Sequence, residues 1–159
     1  MFKNIVVPFD GSDHALAAFH LAQEFAAAEP DAKIHVIEIE NAAYIDPSST
    51  SDEGIPVGGV PVEMIDYDTY RKIMKSRVEK IRHEAEEDLG PDYNKDGNVD
   101  IEIVISASAP GKSIVEFAEK KGADLIIMGR RGLGAFRGMI GSVSMSVLHE
   151  AEIPVLTVK

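Results

Sequence analysis

Gly129, Gly132, Gly134, Gly138 and Gly141 fall within thirteen residues, and Ser142 follows the last of them. Glycine reaches backbone conformations closed to other residues, and without a Cβ it lets a ligand approach the main-chain amides. Consecutive amides leading into a helix N-terminus form a cradle for phosphate or another anion, and a Ser142 hydroxyl adds one more donor. No Asp or Glu occurs between Leu125 and His149, whereas Arg130, Arg131 and Arg137 lie inside that window. One account is a local anion site; the other is a partly buried stretch that carries few charges of any kind. Each arginine is, in the same way, either a phosphate ligand or a solvated surface charge. Asp10, in Pro8-Phe9-Asp10-Gly11, is a second polar group at a strand end, read either as a ligand contact or as a helix-entry turn residue.

Other constellations carry less. Gly111-Lys112-Ser113 resembles the end of a phosphate-binding P-loop, but Ser106 stands where the leading glycine belongs. Asp92, Asn94, Asp96 and Gly97 repeat the oxygen-ligand spacing of an EF-hand, yet the twelfth place is Ile103 rather than a bidentate Glu. An exposed polar turn that holds no metal is the expectation there. The five histidines, at 14, 20, 35, 83 and 149, share no ligand spacing. The absence of cysteine excludes disulfides, thiolate catalysis and cysteine-ligated metals.

These residues need elements to position them. An apolar run, Ile5-Val6-Val7 closed by Pro8, predicts a buried strand over residues 3–9. Ser12 or Asp13 then caps a helix carrying Leu16, Phe19, His20 and Ala27, which ends near Pro30. Period-two alternation over residues 33–40 predicts a strand with a polar edge. Residues 41–61, rich in Ser, Gly, Pro and Asp, predict a mobile loop. A long helix over 66–89 follows, with Ile73, Val78, Ile81 and Ala85 inward, stopped by Gly90-Pro91. Beyond it come a strand over 100–106, a helix over 110–121 with Ile114, Phe117 and Ala118 inward, a strand over 124–128, a helix over 142–150 and a strand over 154–158. Strand and helix alternate throughout, which predicts a single-domain α/β fold with an open parallel sheet of five strands and helices on both faces. Ligands of such sheets bind beyond the carboxyl ends of the strands, where the strand order reverses. The ends of the first and fourth strands, at Pro8 to Gly11 and Gly129 to Gly132, are the candidate site.

Across nearly its whole length the chain resembles the universal stress protein family. The resemblance rests on Val7-Pro-Phe-Asp-Gly-Ser12, on Ala109-Pro110 with Ile114, on Ala123-Asp-Leu-Ile-Ile-Met-Gly-Arg-Arg-Gly132, on Gly141-Ser142-Val143 and on Ile153-Pro-Val-Leu-Thr-Val158. It implies a Rossmann-like sheet of order 3-2-1-4-5. It also implies ATP, with Mg²⁺ held by the phosphates, bound at Gly129, Arg130, Gly132, Gly141, Ser142 and Val143. Pro8 and Asp10 would lie near the nucleoside and the backbone of Ile39 near adenine. The family places about nine residues between its second glycine and the Gly-Ser pair. Here Gly132 and Gly141 are separated by eight, a shortening assigned to the turn because Gly141-Ser142-Val143 keeps the family order at the helix entrance.

The function this implies is an ATP-binding regulatory protein, a homodimer joined through the strand from Pro154 to Val158. The alternatives are a scaffold of the same fold acting by protein contact, and a slow ATPase, for which the loop offers neither a base nor an acidic Mg²⁺ ligand. An excess of 27 Asp and Glu over 16 Lys and Arg argues against nucleic acid or an anionic membrane as partner. No stretch has the apolar length of a membrane span or the core of a signal peptide, so a cytoplasmic protein is expected.

Overall fold

The computed structural model describes residues 2–41, 44–45, 60–61, 66–133 and 140–159. Its main sheet holds β1 (Asn4–Pro8), β2 (Lys33–Asn41), β5 (Val99–Ser106), β6 (Leu125–Gly129) and β7 (Val155–Val158). They are ordered β5-β2-β1-β6-β7 and are parallel at every pairing. Counted within this sheet in chain order, that is the expected 3-2-1-4-5. The order reverses between β1 and β6, so the crevice opens at the ends of those two strands. Two-residue strands β3 (Tyr44–Ile45) and β4 (Val60–Pro61) pair antiparallel apart from it. Otherwise the loop expected over residues 41–61 lies outside the described residues.

β1 shows why its sequence lacks alternation. Ile5, Val6 and Val7 are all fully buried, because the strand has neighbours on both edges and helices over both faces. One core lies between the sheet and α1 (Asp13–Ala27) with α2 (Tyr67–Leu89). The other lies under α3 (Pro110–Lys121) and α4 (Ser142–Glu150).

Ser12 caps α1, its Oγ accepting from the Ala15 amide at 3.2 Å. The buried stripe of this helix differs from the one expected. Ala15, Ala18, Phe19, Ala22 and Ala26 face the core, while His20 and Ala27 are exposed and Leu16 is half-buried. Small residues at helical spacing let α1 lie close on β6, so alanines rather than the larger apolar residues define the inner face.

β2 is likewise not a polar edge: it lies between β1 and β5. Two of its polar residues, His35 and Glu40, are buried in pairs. His35 Nδ1 lies 3.1 Å from Glu102 Oε1, Lys121 Nζ reaches the same carboxylate at 2.8 Å, and Arg77 pairs with Glu40. A buried charge is tolerated when paired in this way, and alternation alone does not separate it from a solvated face.

Asp66 caps α2 through its Oδ1, which accepts from the Thr69 amide at 3.0 Å, and Gly90, with φ of 86°, ends the helix. Ile73, Met74, Ile81, Ala85 and Leu89 are buried there, whereas Val78 is half-buried. The segment with EF-hand-like spacing is the expected exposed turn. Asn94 Oδ1 accepts from the Val99 amide at 3.0 Å, and Ile103 lies within β5.

Candidate functional site

A cavity of about 540 Å³ opens at the carboxyl ends of β1, β2 and β6. Pro8 and Asp10 from the end of β1, Ile39 from β2, and Gly129 and Gly132 after β6 line it; so do Gly141, Ser142 and Val143 at the start of α4. The fold therefore gathers eight of the nine candidate residues around one space, although Pro8 and Val143 stand near opposite ends of the sequence.

Arg130 is the ninth and is not part of the wall. Its amide donates to the Val158 carbonyl at 2.7 Å, and its carbonyl accepts from the Gly141 amide at 2.9 Å. It joins β6 to β7 and closes the base of the glycine-rich loop; its Nε is buried without a hydrogen-bond partner among the described residues. Arg131, the next residue, lines the cavity instead, and its Nε donates to His14 Nε2 at 2.8 Å. Gly134, Arg137 and Gly138 lie outside the described residues.

Asp10 is the helix-entry turn residue, and it also ties that turn to the glycine-rich segment. Its Oδ1 accepts from the Ser12 amide at 3.1 Å and from Ser12 Oγ at 2.6 Å, which orders the entry to α1. Its Oδ2 accepts from the Leu133 amide at 3.3 Å, across to the glycine-rich segment.

The glycines that line the cavity are needed for space rather than for left-handed backbone. None of Gly129, Gly132 and Gly141 has positive φ. A Cβ at Gly132 would lie 2.0 Å from Asp10 Oδ2, and one at Gly129 would lie 2.9 Å from His14 Cβ. One at Gly141 would come within 3.3 Å of Arg131 Cα. Gly141 is also the N-cap of α4 and offers no side-chain acceptor. The first-turn amides of α4 thus have no intrahelical acceptor at a helix end that carries partial positive charge. Ser144 Oγ donates to the Gly129 carbonyl at 2.9 Å and fixes this helix start to the end of β6.

Glu38 also lines the cavity, and the sequence reading passed over it. Burial, reinforced by the negative charges of Glu40, Glu84, Asp10 and Asp88, pushes its carboxyl up from an ordinary 4.5 to about 7. The available signal was an acidic residue set between Ile37 and Ile39 near the end of the strand.

Gly111-Lys112-Ser113 is the first turn of α3 and no phosphate loop. A Cβ at Gly111 would lie 2.4 Å from Ser146 Oγ, so this glycine lets α3 and α4 pack closely. Lys112 pairs with Glu116 at 3.7 Å, and Ser113 Oγ donates to Ser106 Oγ at 2.8 Å. Among the described residues, no group of three His, Asp or Glu side chains is arranged to hold a metal, and no helix is long and apolar enough to cross a membrane.

This fold has counterparts among known proteins. The model of the universal stress protein family matches residues 1–159. The chain belongs to that family. It is 34% identical to universal stress protein MJ0531 of Methanocaldococcus jannaschii, over 100% of this chain and 83% of that protein. Among solved structures, MJ0577 of the same organism superposes with a TM-score of 0.68 at 25% identity, covering 100% of this chain and 96% of the other. A universal stress protein from Archaeoglobus fulgidus, solved in complex with dAMP, superposes with a TM-score of 0.56 at 20% identity, covering 100% and 98%.

Proposed function

We propose that this universal stress protein is an adenine-nucleotide-binding regulatory protein, with ATP as its ligand in the cavity at the reversal point of the sheet. One observation carries the reading: the residues that start α4, whose first-turn amides have no side-chain cap, and the glycines at 129, 132 and 141 border the same cavity. Amides at a helix N-terminus favour phosphate, and the glycines let Asp10, His14 and Arg131 pack closely around that helix start. The apolar wall of Pro8, Ile37, Ile39 and Met128 suits the flat face of a base. The dAMP complex of the Archaeoglobus relative points to the same ligand class.

In this reading Ile39 borders the base and Asp10 the sugar. Gly129, Gly132, Gly141, Ser142 and Val143 hold the phosphates, which carry Mg²⁺ with them. Arg130 acts behind the wall by closing the loop. The protein works in the cytoplasm as a homodimer joined at β7. That strand is an edge of the sheet, and Leu156 is 37% exposed on it. Mass analysis of nucleotide released from the purified protein, followed by calorimetry with Mg-ATP, tests the proposal. A folded, nucleotide-free sample that gives no heat up to millimolar ATP would favour the scaffold reading.

A further inference from the structure

We propose that Arg131, held in place by His14, sets the preference of this cavity for phosphorylated over unphosphorylated nucleosides; the inference rests on the nucleotide reading above. Asp10, Glu38 and Arg131 are the charged side chains that line the cavity among the described residues. The Asp10 carboxylate opposes an anionic ligand, as does Glu38 where it is ionised, and Arg131 is the cation that offsets them.

The guanidinium is fixed along one edge. Its Nε donates to His14 Nε2 at 2.8 Å, so the neutral His14 ring carries its proton on Nδ1. Among the described residues the two terminal nitrogens have no other hydrogen-bond partner, and their N–H groups form a fork that matches two phosphate oxygens. Among the described residues no carboxylate lies within ion-pair distance of Arg131. His14 is itself set by the fold: it stands in the first turn of α1, against Gly129, where a Cβ would press on both its side chain and its backbone. Gly129 therefore lets α1 approach, α1 brings His14, and His14 orients Arg131. A donor fixed before the ligand arrives loses little freedom on binding. His14 does not line the cavity and is a positioning residue.

The test compares ATP, ADP, AMP and adenosine by calorimetry on the full chain and on Arg131→Gln, Arg131→Lys, His14→Gln and His14→Leu. Circular dichroism and thermal melting confirm that each variant is folded. Arg131→Gln is expected to weaken ATP by about 10- to 100-fold, the range for a lost hydrogen bond to a charged group, while adenosine changes less than about twofold. Arg131→Lys keeps the charge but not the fork and falls between. His14→Gln retains an acceptor for Arg131 Nε and stays near wild type, whereas His14→Leu loses several-fold for ATP alone. Equal losses for ATP and adenosine in Arg131→Gln, or no loss for either, would overturn the inference while leaving nucleotide binding intact. Wild type that binds neither ligand would overturn the nucleotide reading and this inference with it.

Discussion

Asp10 Oδ2 accepts a hydrogen bond from the Leu133 amide at 3.3 Å, joining residues 123 apart in sequence. A Cβ on Gly132 would lie 2.0 Å from the same oxygen. The first strand's turn and the glycine-rich loop are thus coupled through one carboxylate. Gly132→Ala is expected to push Asp10 aside, cost about 1–2 kcal/mol of stability and weaken ATP. Asp10→Ala should remove most of that cost, because the colliding carboxylate is gone. Urea unfolding of both single variants and the double variant measures the coupling; strictly additive losses would show that the two residues do not meet.

Gly129 and Gly111 separate two uses of glycine. Gly129→Ala forces a methyl against His14 and the Arg131 carbonyl at 2.9–3.1 Å. It should cost about 1–3 kcal/mol and also weaken ATP by disturbing Arg131. Gly111→Ala meets Ser146 and should cost a similar amount of stability. Because Gly111 does not line the cavity, the folded fraction should keep its ATP affinity. Thermal melts and calorimetry on both variants distinguish these outcomes; lost affinity in folded Gly111→Ala would restore Gly111-Lys112-Ser113 as a phosphate loop.

Glu38 predicts a pH dependence of known sign. Its folded-state carboxyl titrates at about 7, above the ordinary 4.5, so the native state binds more protons between those values. Its contribution to stability is full below pH 4.5 and is lost as pH rises through 7. The group is partly solvated, so the loss is about 1–2 kcal/mol after screening. Glu102 acts in the opposite sense. Burial raises its carboxyl, but hydrogen bonds from Lys121 and His35 outweigh burial and lower it overall, so its contribution is lost as pH falls. Glu38→Gln should stabilise the protein at pH 8 and leave it unchanged near pH 4. Denaturation series across that range check this; equal effects at both ends would place Glu38 in ordinary solvent.

β7 predicts assembly. Leu156→Lys places a charge on the exposed face of an edge strand and should convert the proposed dimer to monomer. Light scattering reads the mass directly. A variant that keeps the dimer mass would move the interface elsewhere.

Most of this architecture was legible because its signals are local. Ile5-Val6-Val7, the Gly90 stop, Pro110 opening α3 and Ser142 opening α4 each announce an element from within a few residues. Where legibility failed, the deciding interaction was long-range. Nothing near His35 or Glu40 says that Glu102 and Arg77 will pair with them and turn an apparent polar edge into an interior strand. The alanine face of α1 is likewise defined by how closely β6 approaches. The exchange of Arg130 for Arg131 has the same origin. The bonds of Arg130 to Val158 and Gly141 bind the residue next to β6 into the sheet, and the following residue is the one left to face the cavity.

The central claim is that the cavity takes an adenine nucleotide by its phosphates. Calorimetric titration of Mg-ATP into folded, nucleotide-free wild type tests it most directly, with GTP and adenosine as controls. One site per chain is expected, with ATP binding more tightly than either control. Heats that are absent up to millimolar ATP, or equal for ATP, GTP and adenosine, would contradict it.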